Sequence, residues 1–241
     1  MTSTQLSGSV SVVAAELFSD SSVKQHNLGE LIFSNDGRAF RYVLAGGTAL
    51  VAGKLQQAPA EITDHQGLTS PVVAVDGTSV AVTLGATAVT ANQYAGGYLM
   101  VTVTPGVGIQ YLISGHLAAN ASASVTLNLA DPIEVALTAT SRLDMVLNPY
   151  SGVIVNPTTK TSCPVGVGVK VITAAQYGWL QVGGIANILS DGATAVGNFV
   201  SPSGSVVGAV IDATHAQEAV VGNAVTGIAD TEYGAIKLIL M

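Results

Sequence analysis

Apolar and polar residues alternate with a period of two along most of the chain. Val80, Val82 and Leu84 share one side of the Ser79–Leu84 stretch, as do Leu99, Val101 and Val103, then Ile109, Tyr111 and Ile113. Val125, Leu127 and Leu129 alternate with Thr126 and Asn128, and Val165, Val167, Val169 and Val171 alternate with Gly166, Gly168 and Lys170. This spacing turns one face of a strand to a core and the other outward, and the abundance of Val and Thr suits strands. Turn pairs separate the runs: Asp36-Gly37, Asp76-Gly77, Pro105-Gly106, Asn148-Pro149, Asp191-Gly192 and Pro202-Ser203-Gly204. Short strands between frequent turns predict an all-β chain built as β-sandwich or β-barrel units. Only Asn120–Ser124 and Asp212–Ala219 carry helix signals, about two turns each, the second with Asp212 as its N-cap.

One internal repeat is visible. Residues 89–101, VTANQYAGGYLMV, and 172–182, ITAAQYGWLQV, share Thr-Ala-x-Gln-Tyr followed by Gly and an aromatic-Leu-x-Val strand. GIQYLIS at Gly108 parallels GIANILS at Gly184, and each copy closes on a tyrosine-glycine strand at Tyr150 and Tyr233. Two related units are therefore expected, at about 89–155 and 172–240. The expected organisation is an N-terminal arm with the first strands at 1–60, a β domain at 61–160 and a C-terminal β domain at 161–241. EITDHQGLTS, Glu61–Ser70, reads as a linker or exposed loop. In Asp36–Leu55 a strand is expected with Arg38, Phe40 and Tyr42 on one face and Arg41 and Val43 on the other.

Composition sharpens this picture. Of 241 residues 49% are hydrophobic, yet only 5% are aromatic and 10% charged, against about 25% charged in an average soluble domain. So little charge implies surfaces covered by partners. The net charge of −7, with four of the eight basic residues (Lys24, Arg38, Arg41, Lys54) in the first 54 positions, argues against a nucleic-acid partner. Polar residues and glycines interrupt every apolar run, so no membrane-spanning helix is predicted. The N-terminus lacks the features of a signal peptide. Cys163, the single cysteine, excludes an intramolecular disulfide and is expected to be a small buried or half-buried residue beside Pro164.

Candidate chemistry is sparse. His26, His65, His116 and His215 are far apart in sequence, and none stands at metal-ligand spacing from a cysteine or a second histidine. Asp64-His65 and Asp212-x-x-His215 are the acid–histidine neighbours, read as a solvated loop and a helix face. G-x-S-x-G is absent, and Ser201-Pro-Ser203-Gly204 reads as a turn. Gly106-Val-Gly108 and Gly166-Val-Gly168 precede strands and serve turns or close backbone approach rather than phosphate binding. Asp131, Glu134 and Asp144 are carboxylates that a glycosidase pair would need. No residue is assigned a catalytic, cofactor-binding or metal-binding role, no cofactor is expected, and the chain is not expected to be an enzyme.

Two stretches carry a resemblance. DGRAFRYVLAGGTALVAGKL, Asp36–Leu55, is similar to the opening region of tailed-bacteriophage virion structural proteins. Tyr177–Gly204, a YGW strand followed by ILSDGATAVGNFVSPSG, resembles a β unit of phage capsid decoration (cement) proteins. The resemblance implies a homotrimer on the outer surface of the capsid, clamping major capsid protein subunits and carrying no catalytic residues. An arm containing Phe18 and the strand SGSVSVV, residues 7–13, is the expected reach onto a neighbour. The rival readings are another virion part (tail, baseplate or fibre subunit) and a virion-surface carbohydrate-binding or hydrolytic domain.

Overall fold

The computed structural model describes residues 15–214 and 218–241. Sixteen strands are present among them. β1 (Leu31–Phe33), β2 (Ala39–Ala45) and β3 (Leu55–Gln57) come first. β4 (Leu68–Thr69), β5 (Ser79–Thr83), β6 (Tyr98–Val103), β7 (Gln110–His116), β8 (Ser124–Leu129) and β9 (Arg142–Val146) follow. Last are β10 (Ser151–Val155), β11 (Pro164–Gly168), β12 (Tyr177–Leu189), β13 (Phe199–Pro202), β14 (Val210–Asp212), β15 (Gly222–Ala224) and β16 (Tyr233–Ile239). The fold is all-β, and its units are barrels.

The chain groups into two compact units, with Ala60–Asn148 inserted between the two parts of the other unit. This differs from the expected boundaries at 60 and 160. Because β10 pairs with β2 and β3, residues after Pro149 belong to the same sheet as the first strands. In that first unit β2, β10, β3, β11 and β12 run side by side, and β12 pairs back onto β2 to close a five-stranded barrel. The barrel is mixed, since β2 and β10 are parallel while the other neighbours are antiparallel. β16, β15, β13 and β14 extend the sheet beyond β12.

Both faces of β2 are buried. Val43 and Ala45 pack with Leu50, Val153, Val165 and Leu180, while Phe40 and Tyr42 pack with Leu17, Ile32 and Trp179. Phe40 and Tyr42 share one face and Val43 lies on the other, as expected, and residues from the 15–33 segment together with Trp179 cover the Phe40 and Tyr42 face. Gly29, at φ +83°, lies so close under the Tyr150 ring that a Cβ there would sit 2.6 Å from Cδ2. Arg41 holds the same place, donating to Gly29 O at 2.6 Å with its guanidinium 5.3 Å from the Tyr150 ring centre.

The inserted unit is a nearly closed six-stranded antiparallel barrel in the order β4-β9-β6-β7-β8-β5. Here the alternation is read out as expected. Val80 and Val82, Val125, Leu127 and Leu129, and Leu99 and Val101 are buried in one core with Tyr94, Tyr111 and Met145. Val103 is exposed because the pairing with β9 shifts register after Val101. Glu61–Ser70 is not an exposed linker: His65, Leu68 and Ser70 are buried and β4 lies within it. Asn120–Ser124 is a turn leading into β8, not a helix. Asp212 ends β14, and the remainder of the expected second helix includes residues 215–217, outside the described residues. The regular strand expected to Val171 stops at Gly168, where a Cβ would meet Val51 O at 2.3 Å.

A recurrent corner explains how such short strands are organised. Besides Ser21 with Tyr177, four isolated antiparallel bridges are formed among the described residues: Leu50 with Ile172, Val73 with Leu137, Val89 with Ala119, and Thr194 with Ile228. Within each pair both N–H groups donate to the partner's carbonyl. After each bridge residue the chain makes a turn in which the carbonyl one position on accepts from the N–H four positions on, as in Gln93 N–H to Thr90 O and Gln176 N–H to Thr173 O. In seven corners the residue three positions after the bridge has positive φ: Gly53, Asp76, Asn92, Ser122, Ala175, Gly197 and Thr231. A positive φ at the third residue of a turn but not the second defines type II. Every described non-glycine residue with positive φ occupies this position. The sequence match between VTANQ and ITAAQ is therefore two of these eight corners. The longer unit expected at 89–155 crosses the boundary between the two barrels.

Candidate interaction surface

The residues with titratable chemistry are tied into the fold. His65 Nε2 lies 2.9 Å from Thr87 O, so it carries the proton, and Nδ1 accepts the Tyr94 hydroxyl at 2.6 Å. His116 has the opposite tautomer: Nδ1 donates to Leu117 O at 2.8 Å and Nε2 accepts the Tyr94 N–H at 3.0 Å. Tyr94 thus bridges two buried histidines, and burial pushes its phenol well above the ordinary tyrosine value. Asp64 turns away from His65 to accept the Thr87 hydroxyl.

His26 packs against the rings of Tyr42 and Trp179 with Nε2 at 2.5 Å from Glu16 Oε1. Asp144 accepts the Gly67 N–H at 2.6 Å, and Asp131 and Glu134 are exposed. Asp212 Oδ2 accepts from Asn198 at 2.6 Å, while His215 lies outside the described residues. The Ser203 hydroxyl donates to Asp191 and accepts the N–H groups of Ser205 and Val206, capping the expected turn. Cys163 is exposed, against the expectation of burial, because it lies in the bend before β11 and Pro164 begins the strand. Among the described residues no helix is long and apolar enough to cross a membrane.

A groove of about 540 Å³ lies on the first unit, bordered by Phe18, Ile185, Tyr233, Arg38, Asn187 and Gly53. Its floor is an open side of β12. Val182 accepts from Leu240 and Ser190 donates to Glu232, so the even-numbered residues between them turn their backbone groups to β16. The odd-numbered residues turn away, as Leu189 does in donating to Gly53 O at 2.9 Å. The carbonyls of Gly183 and Ile185 are occupied by Gln181 Nε2, at 3.0 and 2.9 Å, a side chain doing what a neighbouring strand would do. The N–H groups of Ile185 and Asn187 and the carbonyl of Asn187 lie on this side of the strand, away from β16.

The chain matches no family model, no curated protein and no solved structure.

A second feature is found in both units. Turn tips, which in most proteins are polar, carry aliphatic side chains here. Val75 and Val196 occupy the second position after a bridge, 49% and 67% exposed, and Val107 stands in the Pro105–Gly108 turn at 58%. Leu117, directly after β7, is 81% exposed and Val72 80%. None of these side chains contributes to a core where it stands. Sequence reasoning missed them because the alternation that reveals strands has no counterpart in turns.

Proposed function

We propose that the protein is a non-enzymatic virion structural protein, a head decoration subunit that binds the outer capsid surface and bridges major capsid protein subunits. The observation that carries this reading is the set of aliphatic turn tips on rigid barrels. Burying a Val or Leu side chain on a partner stabilises the contact by about 1.5–3 kcal/mol, and such residues offer nothing to a chain that stays alone in water. The resemblance of Asp36–Leu55 and Tyr177–Gly204 to phage virion proteins supports the same reading. The first stretch spans β2 and the Leu50 corner, and the second spans β12, the Asp191-Gly192 turn and β13. A repeated site on a closed shell favours a cyclic oligomer, and a homotrimer fits three-fold positions.

The test is to mix the purified protein with expanded empty heads and, separately, with tails, and to sediment each. Co-sedimentation with heads, reduced by Leu117→Ser combined with Val107→Ser in a variant of unchanged thermal stability, is the expected result. Binding to tails alone would give the role to another virion part. Binding to neither overturns the structural reading.

A further inference from the structure

We propose that the groove beside β12 is a binding site for a short acidic saccharide, with a sugar ring on Tyr233 and a carboxylate at Arg38. Three kinds of side chain stand in line there. Tyr233, Ala235 and Lys237 of β16 lie opposite Leu189, Asn187 and Ile185 of β12. Opposite residues of an antiparallel pair share a face. This face therefore runs from an aromatic ring, past the Asn187 amide, to a lysine beside Ile185. Its ends are about 13 Å apart, at roughly 3.4 Å per residue. From the other side of β12, Arg38 packs so close that a Cβ on Gly184 would sit 3.1 Å from its Cγ. Two of the eight basic residues of the chain thus flank one isoleucine.

Each side chain matches one feature of such a ligand. Tyr233 and Phe18 border the groove at 48% and 46% exposure, and a half-open ring takes the apolar C–H face of a sugar. The exposed Asn187 amide both donates and accepts, which suits hydroxyl groups. Among the described residues Arg38 is the only charged one on the border of the groove. Asp36 takes its Nε at 2.7 Å, and both Nη groups stand outside that pair. Lys237 is in no ion pair among the described residues. Because Asp36 cancels one of the two positive charges, the site suits a singly charged carboxylate better than a doubly charged phosphate. The groove volume of about 540 Å³ falls within the roughly 300–1,000 Å³ of small-ligand sites.

The experiment is a titration of the full chain, followed by amide NMR shifts at fixed ionic strength. The probes are a galacturonic acid disaccharide, a glucuronic acid disaccharide and sialyllactose. Each is paired with its methyl ester, which keeps the rings and removes the charge, and sodium acetate is run alongside. The expected result is saturable shifts centred on Ile185, Asn187 and Tyr233 with at least one acid, its ester binding roughly tenfold or more weakly, as the loss of a charged hydrogen bond implies. Arg38→Gln should weaken the acid by a similar factor and leave the ester unchanged, while Tyr233→Ser should weaken both. Arg38→Gln changes a partly exposed side chain, so it keeps the test open if Tyr233→Ser fails to fold. No shift at these residues with any of the acids overturns the proposal. Equal binding of acid and ester overturns the carboxylate contact, and acetate binding as tightly as the acids overturns the saccharide.

Discussion

Asp20 accepts hydrogen bonds from the hydroxyl of Thr173 at 2.7 Å and from its backbone N–H at 3.0 Å. In the inserted unit the equivalent N–H, that of Thr90, is capped from within its own corner by Gln93 at 2.9 Å. Asp20 therefore ties the 15–33 segment to the first barrel by completing a corner that Gln176 leaves uncapped.

This contact makes stability depend on pH. The Thr173 hydroxyl and N–H, then the Lys170 ammonium at 3.1 Å, hold the Asp20 carboxyl well below the usual carboxylate range. A carboxyl depressed in the folded state stabilises it above the unfolded value of about 3.9, and that stabilisation is lost as pH falls toward the folded value. Asp20→Asn should cost about 1 kcal/mol at pH 7, a modest figure because the site is partly solvated. The gap in melting temperature between the two proteins should narrow steadily below about pH 4.

Gly53→Ala tests the left-handed corner. A Cβ at Gly53, φ +68°, would sit 2.6 Å from Tyr233 Cε1. The expected cost is about 1–2 kcal/mol for the backbone plus the displacement of the ring. Tyr233→Ala should remove the second part, so the double variant is less destabilised than the sum of the two single ones in a thermal unfolding cycle.

His116→Ala should be more damaging than its small size change suggests. It leaves the buried Tyr94 N–H without an acceptor and opens a cavity beside Tyr94, together about 2–4 kcal/mol. A chemical denaturation midpoint that barely moves would contradict the bridging role of Tyr94.

The inserted barrel should fold alone. β3 and β10 are antiparallel neighbours, with Ile154 opposite Gln57, and Pro59 lies 3.8 Å from the Cβ position of Gly152. The chain thus leaves and re-enters the first barrel at adjacent points. Residues 60–148 expressed separately should unfold in one cooperative transition, and joining Pro59 to Pro149 through a short Asn-Gly turn should leave the first barrel folded. Dispersed amide spectra of the two products check this.

The strands of the inserted barrel were legible because a single core faces one side of each strand. Val80 and Val82 or Val125, Leu127 and Leu129 need no knowledge of the rest of the chain. β2 was legible only in part, since what buries Phe40 and Tyr42 comes from Leu17 and Ile32, whose own stretch shows no periodicity. The corners were nearly hidden. Their left-handed position accepts Gly, Asp, Asn, Ser, Ala and Thr, so the shared geometry leaves a sequence trace only where Thr-Ala-x-Gln happens to recur. The open side of β12 had no trace at all, because it depends on the Gln181 amide folding back along its own strand.

The two adjacent crossings at β3 and β10 have a mechanical meaning. Any pull on the inserted barrel is delivered to the same end of two antiparallel strands, so their cross-strand bonds would be loaded one after another and part like a zipper, not all together in shear. The first barrel would open along this seam at low force while the inserted barrel stayed whole.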